Sequence, residues 1–137
     1  MATDIKICGL TRSVDAEYAD DAGVEYLGVI FAGGPRERTP TQARDTLAGR
    51  RARKVGVFAD QSEHAIAEAA ETVGLHVLQL HGGVDPERVE RVRAATGREV
   101  WAVVRTVDGI LTAEIAELCD AADALLIDAH VPGQLGG

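Results

Sequence analysis

Lys54-Val55-Gly56-Val57-Phe58-Ala59 decides the fold. Its centre is a short, continuous apolar run with no polar residue in alternation. A strand covered on one face only would alternate; a parallel strand buried on both faces reads like this. Val100-Trp101-Ala102-Val103-Val104 repeats the pattern. Working outward, comparable runs occupy Ile5–Leu10, Tyr26–Phe31, His76–His81 and Ala124–Ile127. Their starts lie about 21 to 28 residues apart, close to the length of one strand-plus-helix unit.

Helical patterns fill the intervals. Val14, Tyr18 and Ala22 fall on one face of the first. The second opens with Thr39 as N-cap, Pro40 at the first helical position and Gln42 at the third, a capping-box arrangement. Ala43 and Leu47 follow four apart. The third starts at Asp60 or Ser62 and presents Ile66, Ala69 or Ala70, and Val73. The fourth begins Asp85-Pro86 and carries Val89 and Val92 among charged residues. The fifth presents Leu111, Ile115 and Leu118, with Cys119 beside them. The chain therefore reads β-α-β-α-β-α-β-α-β-α-β, one partial (β/α)-barrel domain over residues 1–137 with no linker or low-complexity tract.

Right-handed crossovers can build an open doubly wound sheet or a closed barrel. The GxGxxG of a dinucleotide fold is absent from the first turn. Cys8, Arg36, His81, Arg105 and Asp128 instead fall at or just after strand ends, where barrels collect their functional residues. That distribution favours the barrel.

Composition narrows the function. The 137 residues are 46% hydrophobic, with a net charge of −8 and few aromatics. This disfavours nucleic acid and anionic membranes, which select electropositive surfaces. No apolar stretch approaches the roughly 20 residues that span a bilayer. Cys8 and Cys119 have no CxxC spacing, which fits two reduced thiols in a cytoplasmic protein better than a disulfide framework or zinc site.

Cys8 is either a small buried hydrophobe or, because Gly9 and Thr11 let the chain turn sharply, a thiol at the barrel mouth. Thiols ionise near ~8.5, close enough to neutrality for base catalysis. Asp128 is either a capping carboxylate or, emerging directly from Ala124-Leu125-Leu126-Ile127, a desolvated acid. Arg36, in Phe31-Ala32-Gly33-Gly34-Pro35-Arg36, is a solvated loop arginine or a fork for a carboxylate or phosphate. His81, in Gln79-Leu80-His81-Gly82, is a core histidine or a site donor. His64 and His76 read as surface or packing residues. A metal held by His81, Asp128 and His130 is conceivable, but no ligand motif supports it, so no metal is expected.

Together these residues resemble the phosphoribosylanthranilate isomerase family of (β/α)8-barrel enzymes in tryptophan biosynthesis. The matching segments are Lys6-Ile7-Cys8-Gly9-Leu10-Thr11, Phe31…Pro35-Arg36…Thr39-Pro40, Lys54-Val55-Gly56-Val57-Phe58, Leu78-Gln79-Leu80-His81-Gly82 and Leu126-Ile127-Asp128…Pro132-Gly133…Gly136-Gly137. The resemblance implies a cofactor-free Amadori rearrangement of a phosphorylated small molecule, N-(5′-phosphoribosyl)anthranilate. It implies Asp128 as general acid, Cys8 as general base, Arg36 on the anthranilate carboxylate and His81 near the site. Gly136 and Gly137 match the start of a glycine-rich loop on the phosphate side.

The resemblance also implies an incomplete barrel. Five βα units and a sixth strand are present, whereas a full barrel takes roughly 200 residues or more. The expected consequences are a fragment with little activity alone and self-association through open strand edges. Two other readings stay open. One is another phosphate-binding barrel, related to indole-glycerol-phosphate synthase or the tryptophan synthase α chain. The other is a non-catalytic half-barrel that associates through its edges.

Overall fold

The computed structural model describes residues 2–106 and 114–129. The predicted alternation is present throughout them. The strands are β1 (Lys6–Ile7), β2 (Tyr26–Ile30), β3 (Arg53–Phe58), β4 (Val77–Leu80), β5 (Glu99–Thr106) and β6 (Ala124–Ala129). The helices are α1 (Ser13–Asp21), α2 (Pro40–Thr46), α3 (Glu63–Val73), α4 (Pro86–Thr96) and α5 (Glu114–Ala121). The strands form one parallel sheet in chain order, β1 to β6.

Alternation divides the sheet into two faces. On the outer face Leu27, Val29, Leu78, Leu80, Val100 and Ala102 are buried under the helices. They meet Ala43 and Leu47 of the α2 region, Ile66 and Ala70 of α3, and Val89 and Val92 of α4. Phe31 and Phe58 stack there with ring centroids 4.8 Å apart. Gly56 makes that stack fit, because a Cβ would lie 2.6 Å from Leu75 and 2.8 Å from the Phe58 ring.

The inner face carries a different set. Val55, Val77 and Trp101 form a second cluster with Tyr26, Ala124 and Leu126. Tyr26 and Trp101 meet edge-on, with centroids 4.9 Å apart, although β2 and β5 are three strands distant. In a flat sheet that separation would be ~14 Å. The sheet therefore curls, and its inner face is the concave side of a half-barrel. Arg53 Nη2 reaches Glu99 Oε2 at 2.6 Å, and Trp101 Nε1 donates to Glu99 Oε1 at 2.7 Å. Charge is tolerated here because each group has its partner.

Helix starts follow the sequence closely. Thr39 and Gln42 form the capping box. Ser62 caps α3 and Asp85 caps α4 through their side-chain oxygens. Gly74 and Gly97 close those two helices in left-handed conformations.

Two expectations are corrected. The first strand is not Ile5–Leu10 but only Lys6–Ile7. Beyond Cys8 the chain turns out of the ladder, and the N–H groups of Gly9 and Leu10 both donate to Gly28 O at 3.0 Å. The face of α1 packed inward is that of Ala16 and Asp20, not that of Val14 and Tyr18, which are 59% and 81% exposed. Asp20 belongs inside because the N–H groups of Arg51 and Ala52 donate to its carboxylate, so the buried charge is satisfied. Tyr18, Ala19, Ala22, Ile7, Leu10 and Val24 instead border an open apolar groove on the free side of β1. Leu111, expected on α5, lies outside the described residues.

Candidate active site

The mouth of the half-barrel is assembled from strand ends and one loop. Lys6 and Cys8 are two apart at the end of β1 and share its inner side. Gly28 on β2 leaves room for both: a Cβ there would sit 3.1 Å from Cys8 Sγ and 3.3 Å from Lys6 Cε. Cys8 is exposed, so the alternative of a buried structural thiol does not hold.

Arg36 rides on the loop after β2. Glu37 N–H bonds back to Gly34 O, and Arg38 N–H bonds to Ile30 O at 2.8 Å. This folds the loop onto the strand end and projects Arg36 over the first turn. A Cβ on Gly9 would lie 2.8 Å from Arg36 Cζ, and Gly9 has a φ of +79°. Glycine is needed at position 9 for both reasons.

Cys8, Gly33, Arg36, Gln79 and His81 line one cavity of about 400 Å³. His81 Nε2 lies 3.4 Å from Asp128 Oδ2, and both side chains are largely shielded from solvent. Asp128 stands in register beside Arg105, its neighbour on β5. Four of the predicted residues thus converge: three on the cavity and the fourth against His81. Gly136, Gly137 and His130 lie outside the described residues. Among the described residues, no group of three or more His, Cys, Asp or Glu side chains could hold a metal ion. No described helix is long and apolar enough to cross a membrane.

Sequence reasoning missed several supports. Gln79 is 6% exposed yet lines the cavity, and it accepts a 2.7 Å hydrogen bond from Lys6 Nζ. The signal for it was the two-residue period that puts Gln79 on the same face as His81. Gln61 ties two strand ends together: its Oε1 accepts from Ala59 N–H and its Nε2 donates to Phe31 O. Arg88, from α4, donates to the carbonyls of Ala59 and Gln61 and fixes that corner. No local pattern announces those long-range bonds.

Away from the mouth, His76 accepts the Lys54 N–H through Nδ1 at 3.0 Å. Its burial, together with nearby Arg53, Lys54 and Arg98, holds it below the ordinary histidine value. It is exposed at the surface, one of the two places, surface or packing, that its sequence context allowed. Cys119 is exposed on α5.

Comparison with known proteins adds independent findings. The family profile for N-(5′-phosphoribosyl)anthranilate isomerase matches residues 5–137. The N-(5′-phosphoribosyl)anthranilate isomerase of Bacillus velezensis is 35% identical over 138 residues, covering 98% of this chain and 62% of that protein. The crystal structure of the phosphoribosyl anthranilate isomerase from Thermus thermophilus superposes with a TM-score of 0.81 at 34% identity, over 96% of this chain and 65% of that one. A further isomerase structure, at 23% identity, shares the fold with a TM-score of 0.80 over 94% of this chain and 66% of that one; it is a complex with reduced 1-(o-carboxyphenylamino)-1-deoxyribulose 5-phosphate. The chain thus spans somewhat less than two thirds of the length of these relatives. Profile, relatives and superposition agree with one another: the chain belongs to the N-(5′-phosphoribosyl)anthranilate isomerase family.

Proposed function

We propose that the mouth of this half-barrel is the acid–base part of an isomerase site for N-(5′-phosphoribosyl)anthranilate. One observation carries the reading: a thiol, a guanidinium and an imidazole line a single sugar-sized cavity, and the imidazole holds a carboxyl. An aldose-to-ketose shift requires one proton delivered and one removed on a bound sugar. Asp128, starting protonated, gives its proton to the furanose ring oxygen, and the C1′–O bond opens to a Schiff base. Cys8, starting as thiolate, takes the proton from C2′, and the electron pair left behind neutralises the iminium. The resulting enolamine tautomerises to 1-(o-carboxyphenylamino)-1-deoxyribulose 5-phosphate. Arg36 receives the anthranilate carboxylate, for which a planar fork is the matching shape. His81 orients Asp128. No cofactor enters any of these steps.

The test is turnover of the substrate, followed by loss of anthranilate fluorescence. It is run on the chain alone and on the chain fused to the part of the Thermus thermophilus relative that it does not match. The fusion is expected to turn over, and Cys8→Ala and Asp128→Asn to lower kcat by about 10²–10⁴-fold each. A fusion whose turnover is indifferent to Cys8→Ala overturns the assignment. It would favour another phosphate-binding barrel chemistry.

A second reading has its own support. Ile5, Ile7, Val14 and Tyr18 are exposed on the β1 side, and Ile127 is 67% exposed on β6. These are the two edges of the described sheet. Strand edges flanked by apolar side chains recruit further strands, so the chain self-associates. Light scattering across a concentration series checks this, and a concentration-independent monomer removes the reading.

A further inference from the structure

We propose that Lys6, pinned by Gln79, is the counter-cation of the Cys8 thiolate: a positioning residue that acts through the base and does not touch substrate. The proposal deepens the isomerase reading and rests on Cys8 as its base. Lys6 is a charged side chain on the concave face, half-buried, where an ammonium is kept only if it is paired. Its Nζ donates to Gln79 Oε1 at 2.7 Å, and Gln79 is itself buried on the wall of the cavity that Cys8 lines. The partner is a neutral amide. The lysine charge is therefore fixed in place without being cancelled. Lys6 Cε and Cys8 Sγ crowd the same point above Gly28, at 3.3 and 3.1 Å. Both side chains lie over the same glycine, so the ammonium's field acts on the thiol and favours its ionised form.

The other charged and titratable groups facing this region have different tasks. Arg36 overhangs Gly9 from the loop after β2 and meets the substrate carboxylate. His81, directly after β4, and Asp128 on β6 are engaged with one another. Arg105 stands beside Asp128 on β5. Only Lys6 shares strand and face with Cys8, and the amide that holds it is neutral, so its charge persists whether or not substrate is bound.

The experiment is alkylation of Cys8 by iodoacetamide between pH 6 and pH 10, in the 137-residue chain with Cys119→Ser so that one thiol remains. Lys6→Met is expected to slow the reaction about tenfold at pH 7 and to converge on the parent rate at pH 10, where the thiol ionises unaided. Lys6→Arg keeps the charge and stays within about threefold of the parent. Gln79→Leu leaves the lysine unpinned and slows the reaction at pH 7 only. Slowing by the same factor at every pH would signify altered access and overturn the proposal, as would a parent-like rate for Lys6→Met at pH 7. If Lys6→Met does not fold, a parent-like rate for Gln79→Leu overturns it on its own. Alkylation needs no substrate, so this result and the turnover result can fail separately.

Discussion

The two faces of one sheet obey different rules here. Outer-face residues such as Leu27, Leu78 and Val100 are fully buried, apolar and interchangeable in kind. Inner-face residues of the same sheet include Lys6, Arg53, Gln79, Glu99, Arg105 and Asp128. A flat sheet could not gather those charges, but a curled one brings side chains from distant strands within hydrogen-bond reach. Stability therefore concentrates on the convex side. The concave side sustains polar groups because each can find a partner across the curve.

The largest expected effect sharpens that contrast. Leu78→Ala removes a side chain with no exposed surface and should cost about 2–5 kcal/mol in urea unfolding. Leu126→Ala, on the half-buried inner side, should cost clearly less. Equal costs would break the division.

Next is Asp20, a charge buried on the helix side against that rule. Burial alone would raise its pKa, but the N–H groups of Ala52 and Arg51 and the Arg51 side chain outweigh it and hold the value below the ordinary 3.8. A depressed carboxyl stabilises the fold above its unfolded value, and that contribution is lost as the pH falls through the folded value. Asp20→Asn should cost about 1–3 kcal/mol at pH 7 and flatten the acid limb of the stability profile, as read by melts from pH 7 to pH 2.

A smaller pH effect belongs to His76. Its folded value lies below the ordinary 6.5, with burial as the main cause. Folding thus favours the neutral ring, and this share of stability is present above 6.5 and declines as the pH falls below it. His76→Asn, which still offers an acceptor to Lys54 N–H, should show a shallower decline between pH 7 and pH 5.5.

The smallest change in stability should come from the edges. Ile127→Lys alters an exposed outer-face position of β6 and should shift unfolding by no more than about 0.5 kcal/mol. It should nevertheless reduce association in light scattering, because a lysine on a strand edge opposes pairing. Loss of stability without loss of association would contradict the edge reading.

Much of the site was legible beforehand because its residues sit at strand ends. Once the strands were placed, Cys8, His81 and Asp128 had to emerge on the same side of a parallel sheet. Arg36 was legible through its glycine-proline loop. Gln61 and Arg88 were not, because their partners are backbone atoms of other units, and nothing in the local sequence encodes a bond across that distance. The α1 stripe of Val14 and Tyr18 misled for a related reason. Spacing shows which residues share a helix face; what covers that face depends on the rest of the fold.

By itself the sequence determined the order of strands and helices, the caps of α2, α3 and α4, and the set of side chains able to exchange protons. These follow from periodicity, local hydrogen bonding and the chemistry of single residues, which act over a few positions of chain. Only the tertiary structure decided that Lys6 would meet Gln79, that His81 would hold Asp128, and which face of α1 would lie bare. Those outcomes depend on how far the sheet curls, and curvature is a sum over every strand at once.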